Sequence, residues 1–287
     1  MNKSNSNRFR DPRTVQLFNR YATYNGSDPY RAPATLNLIA HLEHNIGAYI
    51  LKGGMHQLSR SLEKLANELG VDVRYHQSVE AIRHNGKEVL GVGTATADFD
   101  ADIVVSNMDI VPTYRKLLRG VKAPKHILNQ ERSTSAMIFF WGLKKEVSDL
   151  EVHNIFFAED YPKEFKAMHH GGMSEDLTVY LYISGLKNQA DAPPGKQNWF
   201  VMVNAPADQG QDWEKMRAQA RKAILKKLNA HLGFDVESAI EEESFLDPRL
   251  IESRTSSFQG ALYGSSSNSH LAAFLRHPNF HRKINNL

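Results

Sequence analysis

The 287-residue sequence contains no cysteine, and this absence removes several kinds of chemistry at once. Without thiols the chain has no disulfides, no thiolate metal ligands and no cysteine nucleophile. An excess of one charge is also lacking, because 35 Lys and Arg side chains stand against 32 Asp and Glu side chains, for a net charge of +3. No cluster of basic residues is interleaved with aromatics, so nucleic acid is not an expected partner.

Long apolar runs are also missing from the sequence. The longest, such as residues 136–141, are far shorter than the roughly 20 residues that a membrane-spanning helix needs. The first residues are polar and show no secretory signal. We therefore expect a cytoplasmic protein whose membrane contact is peripheral.

Paired glycines, Gly53 and Gly54, stand at the centre of the best-defined pattern. A short apolar run at 48–51 precedes them and is typical of a buried strand, and apolar residues spaced by three and four predict a helix over 55–69. Residues 71–74 then alternate as a half-buried strand does. The glycines either make a tight turn or let a cofactor phosphate approach the start of the helix. The sequence leaves both open, because a full G-x-G-x-x-G fingerprint is absent.

A β-hairpin and a further strand are predicted after this helix. Val79–Ile82 and Val89–Val92 flank Asn85-Gly86, a pair that favours a type I′ turn. Gly91-Val-Gly93 lies among strand residues and indicates a hairpin or bulge rather than a phosphate loop. The apolar run at 101–105 predicts a strand covered on both faces.

The first 46 residues are predicted to be helical. One helix begins near Pro12 and another spans 33–44, with turn-forming residues between them. His41 and His44 lie at i, i+3 on the second helix, a spacing that suits two metal ligands or two ordinary surface histidines. No third ligand is placed by the pattern, so no metal site is predicted.

Residues after 122 have a different character. Strands are predicted over Ser135–Leu143, Leu177–Ser184 and Trp199–Val203, with a short helix at Pro162–Met168 and an amphipathic helix from Trp213 to Leu232. The strands form a largely antiparallel sheet. Their many aromatic residues either build the core or line a pocket for a large apolar molecule. Residues 260–268 form a small, polar loop that faces either solvent or a ligand. The fold class is thus mixed α/β.

A series of short motifs runs along nearly the whole chain. They are Leu17-Phe-Asn-Arg-Tyr-Ala-Thr-Tyr24 with Gly26 and Pro29, Lys52-Gly-Gly-Met55, Ala101-Asp-Ile-Val-Val-Ser-Asn107, His153-Asn-Ile-Phe-Phe157 with Tyr161, Thr178-Val-Tyr180, Ala192-Pro193 with Gly195, Asn204-Ala-Pro206, Ala261-Leu-Tyr-Gly264 and Ala273-Phe-Leu-Arg-His-Pro278. In this order and spacing they resemble the carotenoid (phytoene) desaturase family of FAD-dependent, amine-oxidase-like oxidoreductases. The last two are most similar to the subgroup that acts on hydroxylated or acyclic carotenoid ends.

The resemblance implies a discontinuous Rossmann-like FAD domain and a substrate domain that holds a carotenoid or related isoprenoid. Residues 47–122 would be the middle segment of the FAD domain, 1–46 and 123–255 the substrate domain, and 256–287 a return segment toward the flavin. It also implies peripheral membrane contact, because carotenoids reside in bilayers. The expected FAD-binding residues are Gly53, Gly54, Val79 and Asn107, and the expected substrate-binding residues are Tyr24, Trp141, Tyr180 and Arg276. No catalytic base is identified.

The sequence departs from the family pattern at both ends. The first G-x-G-x-x-G turn and the last glycine-rich FAD segment of the family are not found in these 287 residues. One alternative to a desaturase is therefore a truncated chain that retains only apolar-ligand binding, or a chain whose FAD segments come from a second chain. Another alternative is a related polyene saturase or isomerase.

Overall fold

The computed structural model describes residues 1–269 and 276–287. Ala273, Phe274 and Leu275 of the last sequence motif lie outside the described residues. The helices are α1 (Asn2–Ser6), α2 (Pro12–Asn19), α3 (Asn37–His41), α4 (His56–Glu68), α5 (Ile110–Pro112), α6 (Lys125–Leu128), α7 (Tyr161–His169), α8 (Trp213–Leu232) and α9 (Pro248–Thr255). Shorter 3₁₀ turns include Arg20–Asn25, which extends α2, and Phe258–Gly260. The predicted helices are confirmed.

The strands form two antiparallel sheets. They are β1 (Val79–His84), β2 (Val89–Thr94), β3 (Asp98–Asp100), β4 (Ser135–Leu143), β5 (His153–Phe156), β6 (Val179–Tyr182), β7 (Gln197–Ala205) and β8 (Ile240–Leu246). The first three form a small sheet, and the rest form a five-stranded sheet in the order β5-β6-β7-β4-β8. The three long strands predicted after residue 122 and the mixed α/β class are confirmed.

The core lies between one face of the large sheet and α8. Alternate residues of β4, β6 and β7 point to this face and pack on Ile224 and Leu228 of the helix. Asp212 caps the start of α8 by accepting a hydrogen bond from the Lys215 backbone N–H at 3.1 Å. Gly233 ends the helix in the left-handed conformation, as the sequence predicted.

Three predicted strands are wrong. Residues 48–51, 71–74 and 101–105 have an apolar strand pattern but do not form a strand ladder with other described residues. Their side chains are largely exposed, and Val105 is 88% exposed. Strand propensity decides little by itself, because a strand is held by the hydrogen bonds of a neighbour.

The hairpin at 79–94 is confirmed, but its turn is not type I′. That turn requires a positive φ at Asn85, whereas Gly86 has a positive φ of 91° and Asn85 does not. Instead, the Asn85 side chain accepts hydrogen bonds from the backbone N–H groups of Lys87 and Glu88 at 2.9 and 3.0 Å. The strands are paired with His84 opposite Val89, while Arg83 is opposite Gly91, so β2 bulges at Leu90 as expected near Gly91.

Helix α4 has the predicted apolar stripe, but the stripe is exposed. Met55 is 70% exposed and Leu69 74% exposed, and the leucines between them are also open to solvent. An apolar helix face of this extent normally packs against another surface. Across residues 1–269 and 276–287, every helix is too short or too polar to span a bilayer.

Candidate functional site

The second face of the large sheet carries an aromatic surface. Residues that are paired across antiparallel strands share a face, and on this face Phe140 lies opposite Phe200. Their ring centroids are 5.5 Å apart, and the Tyr180 ring lies 6.3 Å from Phe200. Phe140 is 38% exposed. Because α8 covers only the opposite face, this surface is available to an apolar ligand.

Arg20 connects this aromatic surface to the amino-terminal helices. Its guanidinium carbon lies 5.9 Å from the ring centroid of Tyr24 and 5.8 Å from that of Tyr180. Burial raises the pKa of Tyr180 to about 12, and its hydroxyl is 2.8 Å from Nδ1 of His153. The structure thus brings two predicted substrate residues, Tyr24 and Tyr180, together on either side of the Arg20 guanidinium. We call the rings of Tyr24, Phe140, Tyr180 and Phe200 the aromatic wall.

Trp141, the third predicted substrate residue, lies on the other face of the sheet. Its side chain is 1% exposed and packs in the core with Trp199, the residue paired with it. The structure therefore does not bring Trp141 together with Tyr24 and Tyr180. The neighbouring residue Phe140 occupies the open face instead, because side chains alternate along a strand.

A cavity of about 340 Å³ lies where four chain segments meet. Its lining includes Asn107, Tyr263 and Arg276, together with Arg132. Arg276 donates a hydrogen bond from Nη2 to the Ser267 hydroxyl at 3.3 Å. Asn107 and Arg276, predicted separately from distant motifs, thus line one cavity.

Tyr263 joins the cavity to the aromatic wall. It lines the cavity, and burial raises the pKa of its hydroxyl while the nearby charge of Arg20 opposes that rise. Gly26 has no side chain and therefore allows Tyr263 and Ser133 to lie close to its backbone. A Cβ at Gly26 would lie 2.7 Å from Tyr263 Cδ2 and 2.7 Å from Ser133 Cβ. The apolar surface and the polar cavity are therefore neighbours.

The remaining predicted cofactor residues lie elsewhere. Gly53 and Gly54 have positive φ angles of 81° and 84°, a Cβ added at Gly54 would meet no atom within 4 Å, and Val79 begins β1. They do not line this cavity. His41 and His44 make separate contacts, His41 with Asn45 and His44 with the Tyr21 hydroxyl.

Sequence reasoning missed Arg132 and Tyr263. Arg132 is 9% exposed and lies three residues before the first strand of the large sheet. Its buried charge leaves no signature in the local sequence, since a basic residue before a strand is usually exposed. Tyr263 lies within the Ala261-Leu-Tyr-Gly264 motif that carries the family resemblance. The motif drew attention to this segment, but it did not predict that Tyr263 lies beside Gly26.

A family model described as flavin containing amine oxidoreductase matches residues 2–281. The chain is 50% identical over 281 residues to a 1-hydroxycarotenoid 3,4-desaturase of Flavobacterium sp. strain P99-3, covering 98% of this chain and 58% of the relative. It is 33% identical over 261 residues to a 4,4'-diapolycopene oxygenase of Methylomonas sp, covering 88% and 52%. The chain therefore spans about half the length of these relatives.

Solved structures show the same fold at low sequence identity. An oxidoreductase from Methanosarcina mazei matches with a TM-score of 0.58 and 13% identity, over 79% of this chain and 50% of that one. Cyclohexylamine oxidase from Brevibacterium oxydans IH-35A matches with a TM-score of 0.51 and 12% identity, over 94% and 57%. The predicted resemblance to carotenoid desaturases and the expectation of a flavin cofactor are confirmed, and the chain belongs to the flavin-containing amine oxidoreductase family.

Proposed function

We propose that this protein catalyses the FAD-dependent desaturation of a carotenoid. The observation that carries the proposal is that Tyr263 lines a cavity with Asn107, Arg132 and Arg276 and also packs against Gly26, at the end of the turn that carries Tyr24. A polyene on that face would present a C–C bond to a flavin ring in the cavity. When bound, FAD would accept two hydrogens, which together carry two protons and two electrons, from the two carbons of that bond, and the carbons would then be joined by a double bond.

The residues of this chain orient the substrate and exclude water. Phe140, Tyr180 and Phe200 offer flat apolar area to the polyene. Tyr24 adds a further aromatic ring from the Arg20–Asn25 turn. Burial raises the pKa of Tyr180 to about 12, so its phenol presents no negative charge to the polyene near neutral pH. An acyclic, hydroxylated carotenoid is the proposed substrate, as the name of the 50% identical relative supports.

Cavity and turn residues would hold the cofactor. The lining of the cavity would suit the polar edge of a flavin ring, because it combines the amide of Asn107 with the arginines Arg132 and Arg276. Gly53 and Gly54 would let the dinucleotide approach the backbone closely, because they carry no side chain, and Val79 would meet its adenine end. The assignment of residues 47–122 to the middle segment of the FAD domain, and of residues 256–287 to the segment that returns toward the flavin, is part of the same proposal.

The exposed stripe of α4 is the proposed contact with further flavin-domain polypeptide, from the same protein or a second chain. Its leucines and the exposed Ile103 and Val105 provide the apolar area. Peripheral membrane contact of a cytoplasmic protein is proposed separately, because the substrate dissolves in lipid. Flotation with liposomes tests it. Protein that stays in the dense fraction at moderate salt would refute membrane contact but not desaturation.

Desaturation is tested with the intact gene product that carries these 287 residues. Incubation with FAD and an acyclic 1-hydroxycarotenoid in liposomes should give a product that absorbs at longer wavelength, because its conjugated system is longer. Omission of FAD and heat-inactivated protein are the controls. Flavin-loaded, folded protein that leaves the absorption spectrum unchanged would contradict the proposal. Apolar-ligand binding without bound flavin would support the non-catalytic alternative instead.

A further inference from the structure

We propose that Arg20 selects hydroxylated carotenoids by donating a hydrogen bond from Nη2 to the hydroxyl oxygen at the end of the polyene. The inference rests on the proposed function and assigns its preference for a hydroxylated substrate to one residue. Three observations carry it. Arg20 lies between two rings of the aromatic wall, it is only 9% exposed, and one of its terminal nitrogens is an unused donor.

The three guanidinium nitrogens of Arg20 have different surroundings. Nη1 donates a hydrogen bond to the Thr23 hydroxyl, within the Arg20–Asn25 turn. Nε is sealed from solvent and has no hydrogen-bond partner among the described residues. Nη2 also lacks a hydrogen-bond partner among those residues, but it is not one of the sealed side-chain atoms and therefore keeps accessible surface. Nη2 is thus the donor that is available to a ligand.

The charge of Arg20 is not used in an ion pair with any described residue. Glu164 is a carboxyl group whose pKa this charge affects, but its two oxygens accept hydrogen bonds from the Thr178 backbone N–H and the Asn204 amide, both at 3.0 Å. Burial raises the pKa of Glu164, which favours its neutral form. The guanidinium is therefore held beside the wall as a charged donor without a carboxylate partner.

The position of Arg20 connects the end of the aromatic wall to the cavity. Its guanidinium carbon lies 5.9 Å from the Tyr24 centroid and 5.8 Å from the Tyr180 centroid. Its charge also acts on the hydroxyl of Tyr263, which lines the cavity. A polyene whose hydroxyl is bound at Nη2 would have the C–C bonds nearest that end close to the cavity, and the rest of its chain could follow the sheet.

A hydroxyl group is the part of the proposed substrate that suits this donor. The remainder of an acyclic carotenoid is hydrocarbon and offers no acceptor. A hydrocarbon end on Arg20 would shield Nη2 from water without replacing the lost hydrogen bond, and an unpaired donor is more costly when it is charged. A site that hydrogen-bonds a substrate hydroxyl therefore rejects an analogue that lacks it.

The test compares two acyclic carotenoids that differ only in a hydroxyl at carbon 1. Each is supplied in liposomes to the intact, FAD-loaded gene product, with binding followed by quenching of protein fluorescence and turnover by absorption. Wild type should favour the hydroxylated carotenoid by about tenfold or more in Kd and in kcat/KM, the effect expected for one hydrogen bond from a charged donor. Arg20→Met removes every donor and should abolish this preference, whereas Arg20→Lys should retain part of it.

The comparison of the two carotenoids separates recognition of the hydroxyl from a structural role of Arg20. Loss of the contacts with Tyr24 and Tyr180 would weaken both carotenoids equally, and an equal loss in Arg20→Met would overturn the proposal. Wild-type protein that binds and desaturates both equally well would also overturn it, while leaving the proposed function intact. Wild-type protein that binds both but desaturates neither would overturn the proposed function. Arg13→Met is the matched control on α2, because the Arg13 side chain is 90% exposed, and it should leave the preference unchanged.

Discussion

Gly26 is a position where a single added methyl group should be strongly destabilising. Its φ is +57°, and a Cβ there would lie 2.7 Å from both Ser133 Cβ and Tyr263 Cδ2. The left-handed conformation costs a residue with a Cβ about 1–2 kcal/mol. Overpacking against a neighbour that cannot move adds about 1–3 kcal/mol, and Ser133 is buried. We therefore expect Gly26→Ala to lower the free energy of unfolding by about 2–5 kcal/mol.

Gly195 supplies a matched control for this substitution. Its φ is +73°, but no atom lies within 4 Å of the position of its Cβ. Gly195→Ala should therefore cost only the conformational part, about 1–2 kcal/mol. Urea unfolding followed by circular dichroism measures both variants. Equal losses in the two would refute the close approach of Gly26, Ser133 and Tyr263, and would thus remove the link between the aromatic wall and the cavity.

Two further substitutions test the buried carboxyl group of Glu164 and the aromatic surface of the large sheet. Burial raises the pKa of Glu164 above its ordinary value of 4.5, although Thr178 and Asn204 donate hydrogen bonds to it and oppose the rise. The stability that this carboxyl group contributes is therefore fully present below pH 4.5, and it is lost as the pH rises through the raised pKa of the folded state. The free energy lost is about 1.4 kcal/mol for each pH unit by which folding raises the pKa. Urea unfolding of wild type and Glu164→Gln from pH 4 to 8 should show a stability difference that changes with pH in this sense, and a constant difference would contradict it. Phe140→Ala should weaken carotenoid binding, followed by quenching of protein fluorescence, by about tenfold, since about 1.4 kcal/mol of aromatic contact is lost. Phe280→Ala, an exposed aromatic away from this face, should leave binding unchanged.

The sequence was sufficient to predict those helices and strands whose bounds are indicated by local residue patterns. Helix α8 has an apolar stripe, an Asp at its start and a Gly at its end, and its bounds followed from these features. Strand β4 was predicted with the bounds that the structure gives, because an apolar run rich in aromatic residues lies at its centre. Local signals of this kind are sufficient when packing agrees with them.

Features that depend on a partner could not be predicted from the sequence. The apolar run at 101–105 has a strand pattern, but only a neighbouring strand would make it a strand. The face of the sheet to which Trp141 points depends on which face the helix α8 covers, and the alternation of residues alone does not specify that. The convergence of Asn107, Arg132 and Arg276 on one cavity required the positions of three separate chain segments. The resemblance marked Asn107 and Arg276 one by one, but it gave no sign of Arg132.

Single-turnover reduction tests the central claim most directly. The intact gene product, loaded with FAD and freed of oxygen, is mixed with an acyclic 1-hydroxycarotenoid in liposomes, and the flavin and carotenoid absorption bands are followed together. We predict that the flavin band disappears at the same rate as a longer-wavelength carotenoid band appears, because both report the same loss of two hydrogens. A flavin that stays oxidised while the protein binds the carotenoid would contradict desaturation by this site.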